Sequence, residues 1–205
     1  DSAWARAGIG GEALQAEVGN AVLIAVFEHA NRALAYAQEE AAPGAGKLSR
    51  ERAHELAAAG FSEYAASYPL SENAAEAQFF AGEILFEQGR HVEAAAAYEK
   101  VAAADSGKRR ADAALGRLYA LEAALKAEAG KDGYAALPPS GKAGARAEVP
   151  PLAAKYVEAA DRLLKVGAYK RKAPAFLYRA AQLLLSYGQS QDANRRFKVV
   201  ADRFP

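Results

Sequence analysis

The sequence predicts an all-α fold, a right-handed α-solenoid of about four antiparallel helix pairs, and three observations favour it. Of the 205 residues, 52% are apolar, and many of these are alanine, the best helix former. Alternating β-branched runs, which indicate strands, are nearly absent. Similar helical patterns also recur along the chain, which is typical of repeat architectures.

The clearest recurrence is between two stretches near the middle and the end of the chain. ILFEQGRHVEAAAAYEKVAAADS begins at Ile84, and LLLSYGQSQDANRRFKVVADRFP begins at Leu183, 99 residues later. The matching positions are Gly89 with Gly188, Ala94 with Ala193, Tyr98 with Phe197, and Val101 with Val200. Small residues at fixed places mark where helices cross closely, and the aromatic residue fills the wedge before the next helix pair. The joint spacing therefore predicts stacked helix pairs.

The repeat register divides the chain into a single solenoid fragment with five parts. They are an N-terminal segment over 1–18, a divergent pair over 19–70, a repeat over 73–108, a repeat over 109–166 that contains an inserted loop over 128–151, and a repeat over 174–205. The aromatic positions of the register are Phe61, Tyr98, Tyr156 and Phe197. Each is separated from the next by at least the length of one repeat.

Local signals support these boundaries. Asn73 with Glu76 three residues on is a capping-box signature for the start of a helix. Gly89 is expected to end that helix. In the divergent pair, the first helix is predicted over Gly19–Glu40. The stretch 128–151 is rich in glycine, alanine and proline and is predicted to be a mobile loop before a helix over Leu152–Val166.

The phrases YPLSENAAEAQFFAGEILFEQGRHVEAAAAYEKV and FKVVADRFP resemble tetratricopeptide repeats of the kind common in bacterial cell-envelope scaffold proteins. In that kind, the second helix runs on to Tyr-Pro or Phe-Pro, as in Tyr68-Pro69-Leu70-Ser71 and Phe204-Pro205. The resemblance covers about residues 50–125 and 150–205. It implies a scaffold, and it implies that the inner face of each first helix lines a concave groove.

The inner-face positions that the resemblance implies share one side of each first helix, because they recur every three or four residues. On the first complete repeat they are Glu76, Phe79, Glu83 and Phe86. On the following first helix they are Arg110, Ala113, Arg117 and Ala120, and on the last they are Ala175, Tyr178, Gln182 and Leu185. The predicted partner-binding residues are Glu76, Phe79, Glu83, Phe86, Arg110, Arg117, Tyr178 and Gln182.

One alternative for this groove stays open. Phe79 and Phe86 are equally compatible with packing against the preceding helix pair or the N-terminal segment. The family's clamp for a C-terminal carboxylate has Lys and Asn where this chain has Phe79 and Glu83, which argues against a chaperone-tail binder of that type. A peptide or helix held by aromatic anchors is the favoured partner.

The chain offers no convincing catalytic or metal-binding pattern. It has no cysteine, and none of His29, His54 and His91 stands four residues from another as in a helical zinc pair. Gly8-Ile9-Gly10-Gly11 follows no strand pattern and is interpreted as a linker. We therefore expect no enzymatic activity, no cofactor and no metal.

The net charge of +1 conceals an uneven distribution of charged residues. Residues 1–100 carry 7 Lys/Arg against 15 Asp/Glu, and residues 101–205 carry 19 against 10. Nucleic-acid binding is disfavoured because few aromatic residues interleave with the cations. A protein or peptide partner is favoured, and head-to-tail contacts between copies are a further hypothesis.

The sequence thus predicts a non-enzymatic protein–protein interaction scaffold in a bacterial cell-envelope assembly, periplasmic or envelope-associated, with the cytoplasm as the alternative. The longest dense apolar run, Ala21–Phe27, is too short to span a membrane. Because the chain opens on Asp1 and stops where another repeat would begin, it is expected to be part of a longer protein. The rival hypotheses are a regulatory or substrate-positioning domain of a larger enzyme, which the full-length gene would reveal, and a self-assembling structural element.

Overall fold

The computed structural model describes residues 50–69, 71, 73–103, 107, 109–129, 146–167, 169 and 171–204, with isolated positions between 25 and 35. Within these ranges the chain is all-helical, with seven helices and no strand. The helices are α1 Arg50–Ser67, α2 Ala74–Glu87, α3 His91–Ala102, α4 Arg110–Ala129, α5 Pro151–Val166, α6 Ala173–Ser186 and α7 Ser190–Arg203. The predicted segment 1–18 and, apart from those isolated positions, the helix predicted over Gly19–Glu40 lie outside the described residues.

Two compact units make up the chain, Asp1–Ile84 and Leu85–Pro205, with the boundary inside α2. In the first unit, the fully buried ring of Phe61 on α1 lies 5.7 Å from the ring of Phe80 on α2. The Tyr64 hydroxyl lies 3.0 Å from the Ser71 hydroxyl, in hydrogen-bond contact. These contacts hold α1 against the turn that leads into α2.

In the second unit, each helix packs against the next one, α3 on α4, α4 on α5, α5 on α6, and α6 on α7. Alanine makes this close approach possible because its side chain adds little bulk between helix backbones. The alanines predicted at crossing points, Ala94 and Ala193, are both fully buried. Their predicted burial is therefore confirmed.

The turns after α2 and α6 have the same hydrogen-bond pattern, 99 residues apart. Gly89 and Gly188 both adopt the left-handed conformation, with φ of +74° and +69°. In each turn the glycine N–H bonds to the carbonyl three residues back, at 3.0 and 2.9 Å. The N–H of the next residue bonds five residues back, at 2.9 Å in both. Both glycines end their helices as helix C-terminal glycines do, which confirms the prediction for Gly89.

The predicted aromatic positions are buried at three places and partly exposed at the fourth. Phe61, Tyr98 and Tyr156 are at most 2% exposed, whereas Phe197 is half-buried. Tyr98 on α3 lies against Gly116 on α4, where an added Cβ would lie 3.0 Å from the tyrosine ring. The glycine therefore creates the space that the Tyr98 ring occupies.

The bounds of two predicted elements differ slightly from the structure. Glu128 and Ala129, predicted in the loop, are the last residues of α4, since the alanine-rich sequence continues to favour helix to that point. The helix predicted from Leu152 begins one residue earlier, at Pro151, where proline is well suited to a first helical turn. Residues 130–145 of the predicted loop lie outside the described residues.

Candidate functional site

In the first unit, the predicted partner-binding residues lie on α2 and are at least partly exposed. Glu83 is exposed, and Glu76 and Phe79 are half-buried. The Phe79 ring makes an edge contact with the ring of Phe80, with centroids 6.3 Å apart. Phe80 packs on Phe61, whereas part of the Phe79 side chain remains exposed to solvent.

Two further predicted residues lie in the second unit and are half-buried. Phe86, near the end of α2, has its ring centroid 5.1 Å from that of His91 at the start of α3. Arg110 is the first residue of α4. Each keeps part of its surface in solvent, so both remain predicted contact residues.

Arg117, also a predicted partner-binding residue, is only 1% exposed and joins three helices. One of its guanidinium nitrogens lies 3.0 Å from Glu99 on α3 and 2.9 Å from Glu158 on α5. Glu158 also pairs with Arg162, at 3.5 Å. Arg117 therefore binds neighbouring helices of its own chain and presents almost no surface to a partner.

The ion pair with Arg117 makes the contribution of Glu158 to stability depend on pH. The hydrogen bond from Arg117 holds the pKa of the Glu158 carboxyl below its ordinary value of 4.5. The unfolded chain then binds more protons, so this stabilisation is present above about pH 4.5 and is lost as pH falls through the folded-state pKa. Melting temperatures measured from pH 7 to pH 3 should therefore fall more steeply for the wild type than for Glu158→Gln. Parallel curves would contradict this.

On α6, the four residues predicted for the inner face are all exposed. Tyr178 is 48% exposed and Leu185 49%, and Ala175 and Gln182 are exposed as well. We call these four residues the α6 face. Of the four large apolar side chains exposed in the described part of the chain, this face carries two.

Beside the α6 face, α6 is tied to α4 by charged and aromatic contacts. The Arg179 guanidinium donates a hydrogen bond to the Glu122 carboxylate. The ring of Tyr119 meets that of buried Phe176 edge-on, with centroids 5.4 Å apart, and its hydroxyl lies 3.1 Å from the Lys172 amine. The two helices therefore present adjoining surfaces in fixed register.

The loop before α6 is joined to α4 by a hydrogen bond. The Tyr169 hydroxyl donates to the Asp112 carboxylate, and this bond raises the pKa of the tyrosine above its ordinary value of 10.0. Tyr169 also holds a positive φ of 55°, which is unusual for a residue other than glycine. The contact holds Tyr169, four residues before the start of α6, against α4.

Three residues that make the contacts between α4 and α6 were not predicted from the sequence, namely Tyr119, Lys172 and Arg179. Tyr119 is 39% exposed, and the Lys172 amine lies over its ring, 5.5 Å from the ring centroid. A tyrosine on α4 together with a lysine at the start of α6 indicates a cation–π pair only once the two helices are known to adjoin. The spacing of 53 residues carries no such signal.

The described residues contain no cluster of three or more potential metal ligands. Among these residues there is also no helix with the length and apolarity needed to cross a membrane. Comparison with protein-family models, with curated proteins and with solved structures finds no match for the chain. The α6 face, with Tyr178 and Leu185 exposed, is therefore the candidate binding surface.

Proposed function

We propose that this chain is a non-enzymatic protein–protein interaction scaffold that binds a peptide or helix of a partner along the α6 face. The observation that carries the proposal is the exposure of Tyr178 and Leu185, seven residues apart on one side of α6. Aromatic and aliphatic side chains exposed in this way are the usual anchors of a docked peptide. Gln182 lies between them and supplies hydrogen-bonding groups.

The solenoid architecture is part of the proposal. It is supported by the packing of each helix on the next in the second unit, by the matching turns at Gly89 and Gly188, and by the fit of Tyr98 against Gly116. In such a stack, first helices lie side by side, and the contacts between α4 and α6 support this arrangement. Their shared surface is the concave side that repeat proteins use for binding.

Placement in a bacterial cell-envelope assembly is likewise proposed, and it is supported by the resemblance of the Tyr68-Pro69-Leu70-Ser71 and Phe204-Pro205 segments. In the structure, Ser71 follows the Tyr-Pro pair and contacts Tyr64 of α1. That contact gives the segment a structural role in fixing the turn between α1 and α2. Phe79 and Phe86 on α2 are proposed as additional anchors.

A crosslinking capture experiment tests the proposed function. The wild-type chain and a Tyr178→Arg/Gln182→Arg variant would be incubated with bacterial lysate separated into cytoplasm, periplasm and membranes. The wild type should capture a defined set of envelope proteins. The variant should capture at least about tenfold less of them, which corresponds to a loss of about 1.4 kcal/mol of binding free energy. A Phe79→Ala/Phe86→Ala variant tests α2 in the same way.

Val92→Arg is the matched control, because Val92 is 55% exposed on α3 and lies outside the α6 face. It adds positive charge to the surface at another place and should leave capture unchanged. Circular dichroism would show that all variants remain folded. If the α6 variant captures the same proteins as the wild type, the binding face is elsewhere, and capture only from the cytoplasmic fraction would contradict the envelope assignment.

A further inference from the structure

The start of α6 lies in a part of the chain that contains no acidic residue. Residues 162–191 carry six Lys/Arg and no Asp/Glu. Arg171 and Lys172, immediately before α6, are exposed, and so is Arg179 on the helix. A surface of one charge favours partners of the opposite charge and raises their rate of association. The charge beside the α6 face therefore favours an anionic partner.

The Lys172 ammonium is held in place by two aromatic side chains. It lies 5.5 Å from the centre of the Tyr119 ring and 6.0 Å from that of the Tyr169 ring. It also donates a hydrogen bond to the Tyr119 hydroxyl, at 3.1 Å. A surface lysine ordinarily loses rotamer freedom when it binds an anion. Because the two rings already restrict the Lys172 side chain, that entropic cost is reduced at this position.

Neither aromatic contact neutralises the charge of Lys172. Tyrosine is uncharged at neutral pH, and within the described residues no carboxylate forms an ion pair with Arg171 or Lys172. The ammonium has three N–H donors, and the Tyr119 hydroxyl accepts a hydrogen bond from one of them. Lys172 thus presents a positioned positive charge with donors that a carboxylate of a partner can engage.

The carboxylates of the neighbouring helix α4 do not neutralise this charge. Asp112 accepts a hydrogen bond from Tyr169, and Glu122 accepts one from Arg179. Both bonds join residues that are 57 apart, so α4 and α6 run side by side in the same direction. Glu128 lies in the last turn of α4, at the opposite end from Asp112. The charge of Lys172 therefore lies on the surface that α4 and α6 share, at its amino-terminal end.

We propose that the partner segment bound along the α6 face is acidic, and that Lys172 together with Arg171 binds its Asp or Glu side chains. This inference rests on the proposed function, since it names the chemistry of the segment that the α6 face binds. The acidic residues lie at the start of α6, and apolar residues of the same segment follow along the helix over Tyr178. A single-stranded nucleic acid is the less suitable occupant, because its bases stack on open aromatic rings and Lys172 covers the Tyr119 ring.

Selection from a peptide library tests the preference for acidic residues. Random peptides of about 12 residues, which in extended form exceed the length of α6, would be displayed at the amino terminus of a phage coat protein. No peptide then has a free terminal carboxylate, so acidic side chains alone can supply one. The wild type should select peptides enriched in Asp and Glu over the unselected library. Their affinity should fall as the salt concentration rises.

Charge reversal at the start of α6 locates the binding site. Arg171→Glu/Lys172→Glu should bind a selected peptide at least about tenfold more weakly than the wild type. The variant is expected to fold, because acidic residues before a first helical turn interact favourably with the helix dipole. Lys100→Glu/Lys155→Glu is the matched control, since it makes the same change of charge at exposed lysines of α3 and α5 and should bind like the wild type.

Tyr119 is a positioning residue in this proposal, and its replacement tests that role. Tyr119→Leu should weaken peptide binding about two- to fivefold, the equivalent of a surface cation–π contact. In the Arg171→Glu/Lys172→Glu background the same replacement should have no effect on binding, because the ammonium that Tyr119 positions is no longer present. An equal loss in both backgrounds would show that Tyr119 does not act through Lys172.

Selected peptides without acidic enrichment would overturn this inference, and so would acidic peptides that bind both charge variants equally. A library that yields no binding peptide would overturn it as well. A labelled single-stranded DNA that binds more tightly than the selected peptides, and that depends on Arg171 and Lys172, would assign these cations to a nucleic acid instead. The proposed function is judged separately by the capture experiment with the Tyr178→Arg/Gln182→Arg variant. Capture that depends on that face but is unchanged in Arg171→Glu/Lys172→Glu would overturn this inference alone.

Discussion

Replacing Glu99 and Glu158 together with glutamine is expected to lower the free energy of unfolding by about 3 kcal/mol. Arg117 is 1% exposed, and these two carboxylates are its ion-pair partners on α3 and α5. Their replacement leaves a buried cation without a compensating charge, which is the costly way to break a buried pair. The loss falls at the low end of the usual range because the glutamine carbonyls still accept hydrogen bonds.

Arg117→Met is the informative comparison and should cost less than the double glutamine variant. The carboxylates that it leaves behind are 42% and 51% exposed at the side chain, so water solvates them. Methionine also refills much of the buried volume. Urea denaturation of the three proteins at pH 7 gives the ranking. If Arg117→Met proves the most destabilising of the variants, the packing of the arginine, rather than its charge balance, holds α3, α4 and α5 together.

The helix ends of this fold were accessible from the sequence because they depend on local chemistry. Gly89 ends α2 because a left-handed residue is needed there, and that requirement is visible in one residue and its spacing. The recurrence of the same pattern at Gly188 predicted the second turn equally well. Burial of Ala94 and Ala193 followed from the same register.

Which side of α4 is buried could not be predicted in this way. Its predicted inner positions Ala113, Arg117 and Ala120 are buried, whereas Tyr119 is exposed. An alanine-rich helix has small side chains on every side, so hydropathy barely distinguishes one face from another. On α6 the large residues Phe176, Leu177, Leu183 and Leu184 mark the buried side, and the four residues of the α6 face lie on the exposed side.

The ion pairs of Arg117 could not be predicted from the sequence either. Glu99 precedes it by 18 residues and Glu158 follows it by 41, on two different helices. No local rule connects charges at such separations, whereas pairs three or four apart, such as Arg90 with Glu93, can be recognised directly. Tertiary packing alone decides that this arginine is buried.

Tyr98→Ala is expected to lower the free energy of unfolding by about 3–5 kcal/mol, since it empties a site that is 2% exposed. Gly116→Leu should cost about 2 kcal/mol by overpacking, because even a Cβ at that position lies 3.0 Å from the tyrosine ring. On helix propensity alone, the same change at a mid-helix glycine would stabilise the fold by roughly 1 kcal/mol. If Gly116→Leu lowers the free energy of unfolding, the contact with Tyr98 outweighs the gain in helix propensity.

The double variant makes the test specific to this pair. In the Tyr98→Ala background, leucine at position 116 can occupy the space that the ring has left, so the two losses should fall short of their sum by about 1–3 kcal/mol. Chemical denaturation of the four proteins completes the cycle. The losses could instead be additive, or Gly116→Leu could stabilise the wild type. Either result would mean that α4 can shift away from α3 and that the contact between Tyr98 and Gly116 does not fix the distance between these helices. A strong coupling would establish that the aromatic and the glycine, 18 residues apart, set the distance between successive helices.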